Sequence, residues 1–245
     1  MSILNTLSLL LSPALAVFFA IAFRSKLNSK DSTVLVVSFC ISLLTVIPSL
    51  VIKFTASELG LDESVYTLFG RIGFSAFTSF VDELNKYIVI IAYAYRRREF
   101  DEPYAGILIC IMIGLGFVTV DNAWHILNAD KYSDSWRVIT SIPLSICTAV
   151  LMGYYTGLSK YGLDSDDISA FGHRMRGLIT ATFYHGFYNF FLFMEDYNAL
   201  GTLITIGSTV LLGHVALNVI RARRLHLRLM YSRSRRAKAG SDSFA

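Results

Sequence analysis

Long apolar stretches, each able to cross a lipid bilayer, recur along this chain of 245 residues. The hydrocarbon core of a bilayer is ~30 Å thick and a helix rises ~1.5 Å per residue, so one crossing needs about 20 apolar residues. Lipid cannot satisfy the exposed edge of a β-sheet, so each stretch is predicted to be helical. The predicted spans are 3–23, 32–52, 66–95, 104–128, 137–158, 173–194 and 198–220. The chain is therefore predicted to be an all-α polytopic membrane protein, a bundle of about seven transmembrane helices.

The composition also favours a membrane protein over a soluble domain. Apolar residues make up 54% of the chain, charged residues only 16%, and the mean hydropathy is +0.53. We expect a single transmembrane domain over 1–221 and a basic, disordered cytoplasmic tail over 222–245. No Lys or Arg precedes the first apolar stretch and no clear small-residue cleavage site follows it, so this stretch is predicted to be a retained helix rather than a signal peptide.

The distribution of Lys and Arg predicts the orientation of the bundle. Seventeen of the 22 basic residues lie in or next to the loops after spans 1, 3 and 5, or in the C-terminal tail. The residues counted on the opposite side are Lys53, Arg71, Lys131 and Arg137. Cytoplasmic loops are enriched in Lys and Arg, so the N-terminus is predicted to lie outside and the C-terminus in the cytoplasm.

The same distribution of Lys and Arg indicates which partners the protein is expected to contact. Because the positive charge follows the membrane topology, the tail is expected to contact the anionic headgroups of the lipid bilayer. No folded soluble surface carries a basic patch, so nucleic acid is not an expected partner. We expect a multi-pass protein of a cell membrane, and the family resemblance described below implies a bacterial inner or plasma membrane.

Three charged residues, Asp82, Glu83 and Lys86, lie in the middle of the third span. A charge near the bilayer centre costs at least ~2.5–3.5 kcal/mol, so each one should face the interior of the bundle and have a partner or a function. Lys86 lies one helical turn from both carboxylates and can pair with either. One interpretation is a buried structural ion pair. Since two carboxylates share one ammonium group, a carboxyl is left in excess, and the other interpretation is acid–base chemistry.

Two further spans carry polar residues within the membrane. Asp121 and Asn122 lie in the fourth span, and His185 and Asn189 lie one turn apart in the sixth. When the helices run in their assigned directions, Asp82 and Glu83 fall near mid-membrane, His185 slightly outward and Asp121 further toward the outer face. These four ionisable groups are expected to converge in one layer of the outer half of the bilayer. Carboxylates with a histidine can activate a water molecule, with or without Zn²⁺.

At this point a set of ordered motifs resembles a known family. The motifs are "VDELNK" (81–86), "FDEPYAGILICIMIGLGFVTVDN" (100–122), "IPLSICTAVLMGYYTG" (142–157) and "FYHGFYNFFLF" (183–193). Their order and spacing are similar to those of the PrsW family of intramembrane proteases, relatives of the type II CAAX prenyl proteases. The resemblance covers about residues 70–195. It implies an endopeptidase that cleaves a membrane-anchored, single-span protein similar to an anti-sigma factor.

The resemblance implies a role for each polar residue at membrane depth. Glu83 is expected to be the general base that activates water, and His185 its acid–base partner or a metal ligand. Asp82 and Asp121 would orient the water or share a proton, and Lys86 would hold the carboxylate pair. The amides of Asn122 and Asn189 would stabilise the oxyanion. If a metal such as Zn²⁺ takes part, which the sequence leaves open, its ligands would be Glu83, Asp121 and His185.

The chain departs from the family pattern at three positions. Asp82 and Asp121 stand where the family has Glu, and Ser145 stands where it has a motif histidine. An Asp carboxyl is withdrawn by about 1.5 Å relative to Glu, and a misplacement of ~1 Å can reduce a rate ~100-fold. These departures predict a weakened or inactive protease. The alternative function is a non-catalytic scaffold, or pseudoprotease, of the same superfamily that binds membrane helices.

Overall fold

Helices form the architecture of the protein, which we describe from a computed structural model. The described residues are 3–23, 33–61, 67–100, 103–128, 135–161, 167–192, 207–208, 210–225 and 228. The helices are α1 (Ile3–Phe23), α2 (Thr33–Glu58), α3 (Leu68–Ala92), α4 (Pro103–Asn128), α5 (Ser135–Tyr161), α6 (Asp167–Leu192) and α7 (210–225). A short 3-10 turn, Ala94–Arg96, follows α3. No β-strand occurs in these ranges, and the predicted all-α class is confirmed.

The helices coincide with the predicted spans but differ from them at several ends. Helix α2 continues six residues past the predicted end at 52, α6 begins six residues before 173, and α7 continues five residues past 220. The predicted residues 198–206 of the seventh span lie outside the described residues, as does the tail apart from 222–225 and residue 228. The domain boundary at 221 and the orientation of the bundle stay predictions.

Three described helices are long and apolar enough to cross a membrane by composition alone. They are Thr33–Glu58, Tyr104–Leu127 and Thr140–Tyr161. The middle one belongs to α4, in which every residue from 105 to 118 is buried. A helix that is apolar all round and buried all round lies at the centre of a bundle. Helix α4 accordingly packs against α1, α2 and α5 at once.

Glycines let the neighbours of α4 approach closely. A side chain at Gly114 would lie 2.9 Å from the carbonyl oxygen of Ser145 in α5. A side chain at Gly116 would overlap with the carbonyl oxygen of Phe39 in α2. Small residues have this role in membrane bundles because the packing of backbones drives helix association when lipid surrounds the protein. The close contact of α2 with α4 also fixes the position of α2 beside α3.

Helix α3 has a buried face that is polar and an exposed face that is apolar. Its polar buried residues recur every three or four positions, so they lie on one side of the helix. They are Ser75, Thr78, Ser79, Asp82, Glu83 and Lys86. Large apolar residues of the same helix are exposed, among them Phe69, Ile72, Phe80 and Ile88. The buried polar face packs against α6 and α2, which are therefore the helices that supply partners for its charges.

Replacing Gly116 by Ala tests the close contact between α2 and α4. The added methyl group meets backbone rather than a movable side chain, so Gly116→Ala is expected to destabilise the protein by about 1–3 kcal/mol. The control is Gly73→Ala in α3, where an added methyl has no atom within 4 Å and stability should not fall. Thermal unfolding in detergent micelles measures both variants. Equal melting temperatures for the unmodified protein and Gly116→Ala would contradict the packing described.

Candidate active site

Glu83 lies at the centre of a cluster of charged side chains between α3 and α6. It is fully buried, and its Oε1 accepts a hydrogen bond of 2.5 Å from Lys86 Nζ, one turn along the same helix. Nδ1 of His185 in α6 lies 2.7 Å from the same oxygen, at which distance an Nδ1–H donates to a carboxylate. Oε2 of Glu83 has no hydrogen-bond partner among the described residues. One oxygen of this carboxylate is thus held by two donors, and the other is buried with no donor among the described residues.

Asp82 points to the opposite side of the cluster, toward α2. Its Oδ1 accepts a short hydrogen bond from Ser49 Oγ, and Lys53 Nζ lies 2.6 Å from Oδ1 and 2.7 Å from Oδ2. Nε2 of His185 is 3.9 Å from Asp82 Oδ2. The imidazole of His185 therefore lies between two carboxylates, close to Glu83 through one nitrogen and facing Asp82 through the other.

Lys53 connects Asp82 to the carboxylate of α4. Its Nζ lies 3.8 Å from Asp121 Oδ1, and Nε2 of His125 lies 3.8 Å from Asp121 Oδ2. The structure therefore places His185 against Glu83 and close to Asp82. Lys53 lies between Asp82 and Asp121 and so connects Asp121 to the cluster. The roles assigned to these side chains from the sequence stay predictions.

The sequence analysis missed Lys53 and Ser49 as members of this cluster. Lys53 was assigned to the outer loop because the apolar stretch ends at 52, but α2 continues to Glu58 and the Lys53 side chain is only 19% exposed. Ser49 and Lys53 are four positions apart and so lie on one face of α2. The four-residue spacing of Ser49 and Lys53 was the sequence signal that could have placed both beside the excess carboxylate of the third span.

The cluster contains three carboxylates, two ammonium groups and two imidazoles. Arg137 of α5 also acts electrostatically on Asp121. The carboxylate excess predicted from two carboxylates and one lysine within α3 is therefore offset by Lys53 of α2, and Asp121 of α4 is offset by Arg137. Buried charges in close pairs are tolerated within a membrane.

The remaining predicted residues divide between two places. Asn189 in α6 donates from Nδ2 to Ser79 Oγ at 2.8 Å, which joins it to the polar face of α3. Oδ1 of Asn122 accepts from a serine hydroxyl of α5 at 2.8 Å, and Ser145 Oγ donates to a backbone carbonyl of α4 at 2.9 Å. Asn122 and Ser145 thus make these hydrogen bonds at the contact between α4 and α5, one helix away from Glu83.

Two cavities lie near these helices. The cavity beside the cluster has a volume of about 280 Å³ and is lined by Leu50, Lys53, Phe54, Phe74, Thr78, Trp124, His125, Arg137 and Asn189. A second cavity of about 320 Å³ lies between α5, α6 and the residues 207–212, and no carboxylate, histidine or basic side chain lines it. Of these two cavities, the smaller one is therefore the one that borders the charged cluster.

Comparison with known proteins identifies the family to which these features belong. The sequence profile described as PrsW family intramembrane metalloprotease matches residues 30–218, which include every residue of the cluster. The chain belongs to the PrsW family. The family resemblance predicted from the four motifs is thereby confirmed.

Curated relatives of this PrsW-family chain are each named Protease PrsW. The relative from Shouchella clausii is 28% identical over 182 residues, which are 74% of this chain and 80% of the relative. The relative from Oceanobacillus iheyensis is 26% identical over 220 residues, 87% of this chain and 94% of the relative. The relative from Bacillus subtilis is 22% identical over 184 residues, 74% and 80% respectively. No solved structure matches the chain with comparable significance.

Membership of the PrsW family confirms the enzyme class and the general setting. The family consists of membrane proteases, so the protein is assigned to the hydrolases, and its substrate is a membrane protein within a lipid bilayer. The apolar helices and the bacterial relatives place it in a bacterial membrane.

The family description includes a metal, and the side chains of the cluster can be compared with what a metal requires. A catalytic zinc site needs three nitrogen, oxygen or sulfur ligands around one point. No three His, Cys, Asp or Glu side chains among the described residues are arranged to hold an ion. Lys86 and Lys53 lie against oxygens of Glu83 and Asp82 and would repel a cation there. In this arrangement Glu83, Asp121 and His185 do not fit a metal site, and the steps below rely on none.

Removing the ammonium group of Lys53 tests its pairing with Asp82. Lys53→Met leaves Asp82, which is 4% exposed, without its counter-ion and should lower the free energy of unfolding by about 2–3 kcal/mol. Lys53→Met combined with Asp82→Asn should recover most of that loss, because the double variant has no unpaired charge. Lys53→Arg, which keeps the charge, serves as the matched control. Unfolding in detergent measures all of them, and a stable Lys53→Met single variant would disprove the pairing.

Proposed function

We propose that this PrsW-family chain is an endopeptidase that hydrolyses a peptide bond of a single-span, membrane-anchored protein within the bilayer. The observation that carries the proposal is the environment of Glu83. Its Oε1 is fixed by Lys86 and His185, while Oε2 has no partner among the described residues. A carboxylate that is held in place through one oxygen, with no described donor on the other, has an oxygen that can accept a proton, as a general base must.

The proposed reaction begins with a water molecule beside Oε2 of Glu83. Glu83 removes a proton from this water, and the water oxygen forms a bond to the carbonyl carbon of the scissile peptide. The carbonyl oxygen becomes an oxyanion. The C–N bond then breaks, the proton held by Glu83 passes to the departing nitrogen, and the products are a carboxylic acid and an amine. His185, whose Nδ1 lies 2.7 Å from Glu83 Oε1, is the acid–base partner of Glu83 in this transfer.

The neighbouring side chains have supporting roles in this scheme. Asp82 is occupied by Ser49 and Lys53, so it orients the cluster and does not act as the base. Asn189 uses one N–H to donate to Ser79, and because a side-chain amide carries two, the second is the candidate donor to the oxyanion. Asn189 and Lys53 both line the smaller cavity, whose polar lining supports the entry of water to a site within an apolar bundle.

The substrate and location follow from the family resemblance and the topology. A single-span protein similar to an anti-sigma factor would supply one helix with a peptide bond at the depth of Glu83. The cell membrane of a bacterium is the proposed site of action, with the cluster in the outer half of the bilayer.

The second candidate function is a non-catalytic scaffold that binds membrane helices. Ser145, which stands where the family has a histidine, gives its hydrogen bond to the backbone of α4. Lys53 and Lys86 each pair with one of the two adjacent carboxylates, which is also what a purely structural cluster would show. These contacts favour the scaffold if the departures from the family pattern remove turnover.

A cleavage assay in liposomes with a single-span substrate tests the protease. Glu83→Gln removes the base but keeps the size of the side chain, so the rate should fall ~10²–10⁴-fold. The matched control is Glu58→Gln at the exposed end of α2, which should cleave at the unmodified rate. Equal cleavage by Glu83→Gln and the unmodified chain would show that Glu83 is not the base.

The same assay separates the protease from the scaffold. A triple variant, Asp82→Glu with Asp121→Glu and Ser145→His, restores the family pattern at the three positions of departure. Cleavage by the unmodified chain supports the protease. Cleavage by a folded triple variant alone would show that the natural residues are inactivating and would favour the scaffold.

A further inference from the structure

The smaller cavity has cationic side chains and no carboxylate in its lining. Lys53 and Arg137 supply the charge, the amide of Asn189 supplies a neutral donor, and the imidazole of His125 completes the polar part of the lining. The rest of the lining is apolar or aromatic apart from one threonine hydroxyl. A concave site that combines an apolar wall with a few convergent donors of one polarity is suited to an anionic group.

Arg137 is the cation of this lining that makes no close ion pair with a described carboxylate. Its guanidinium forms no ion pair within 4 Å with any described carboxylate, whereas Lys53 is committed to Asp82 and also lies near Asp121. The backbone carbonyl of Arg137 accepts from Thr140 at 3.3 Å, which ties this first turn of α5 to the next. Asp121 interacts with this guanidinium electrostatically but makes no ion pair with it within 4 Å, so the guanidinium makes no direct ion pair with a described carboxylate.

The cavity adjoins the hydrolytic cluster directly. Lys53 lines it and also contacts Asp82, and Asn189 lines it and also contacts Ser79 on the polar face of α3. Its lining comes from five helices, α2 to α6, so it lies between helices of the bundle. A group bound there would lie beside Lys53 and Asn189, on the side of the cluster that faces the cavity. This placement favours a side chain of the substrate over the headgroup of a surrounding lipid.

We propose that this cavity is a specificity subsite that binds an acidic side chain of the substrate, close to the scissile bond and on its outer side. The inference rests on the proposed function and adds a substrate class to it. The planar guanidinium of Arg137 can form two parallel hydrogen bonds with one carboxylate, which is the geometry by which arginine selects Asp or Glu. A lysine or arginine at the same position of the substrate would meet like charges and be rejected.

Binding, rather than cleavage, tests the subsite. The full chain is placed in bilayers of zwitterionic phosphatidylcholine and titrated with a fluorescent single-span peptide that carries one Asp, moved position by position through its outer juxtamembrane segment. At one or two adjacent positions the Asp peptide should bind about tenfold more tightly than the same peptide with Asn. Arg137→Gln should remove this preference. Arg71→Gln, which alters another outer cation that does not line the cavity, should retain it.

Charge reversal provides an independent variant. Arg137→Glu should invert the preference, so that a peptide with Lys at the sensitive position binds better than one with Asp. An Asp preference that persists in Arg137→Gln would overturn the proposal, as would equal binding of the Asp and Asn peptides at every position. If Arg137→Gln instead changes the binding of added anionic phosphatidylglycerol and not that of the peptide, a lipid headgroup is the ligand and the proposal is wrong.

The outcome is separable from that of the protease proposal because no cut is needed. A chain that prefers the Asp peptide but never cleaves it supports the subsite and contradicts the proposed hydrolysis. If the chain binds and cleaves the Asp and Asn peptides equally well, the proposed hydrolysis is supported and the proposed subsite is contradicted.

Discussion

The pairing of each α3 carboxylate with its own lysine is the interaction on which the rest of the structure depends. Glu83 pairs with Lys86 within α3, and Asp82 pairs with Lys53 from α2. Charges at membrane depth cost at least ~2.5–3.5 kcal/mol each when they are unpartnered, so α3 is stable in the bundle only with these counter-ions in place. The pairs therefore determine which face of α3 is buried and which helices lie beside it.

The same ion pairs give the two adjacent carboxylates of α3 different surroundings. The lysine of α3 and the imidazole of His185 both face one oxygen of Glu83 and leave the other without a partner among the described residues. Asp82 is fully engaged and carries the connection to α2 instead. The two adjacent carboxylates thus differ: both oxygens of Asp82 are paired, whereas one oxygen of Glu83 has no donor among the described residues.

The sequence predicted those features that depend on residues close together in the chain. Apolar length predicted the helices, and four ordered motifs predicted the PrsW family. The position of Glu83 beside His185 was expected from their similar depth. Lys53 and Arg137 were missed because hydropathy assigns a lysine or arginine at the end of an apolar stretch to a loop. Their contacts are made across helices, and only the packing of α2 and α5 around α4 brings them to the cluster.

Photo-crosslinking from the substrate tests most directly whether the cluster around Glu83 is the hydrolytic centre. Mass spectrometry first identifies the bond that is cut in a single-span substrate, and a photoreactive residue is then placed next to that bond. The Glu83→Gln variant is used for crosslinking so that the substrate stays uncleaved. The account predicts crosslinks to α3 and α6 close to residue 83 and His185. Crosslinks confined to the apolar cavity between α5, α6 and residues 207–212 would contradict it, because the scissile bond would then lie away from the charged cluster.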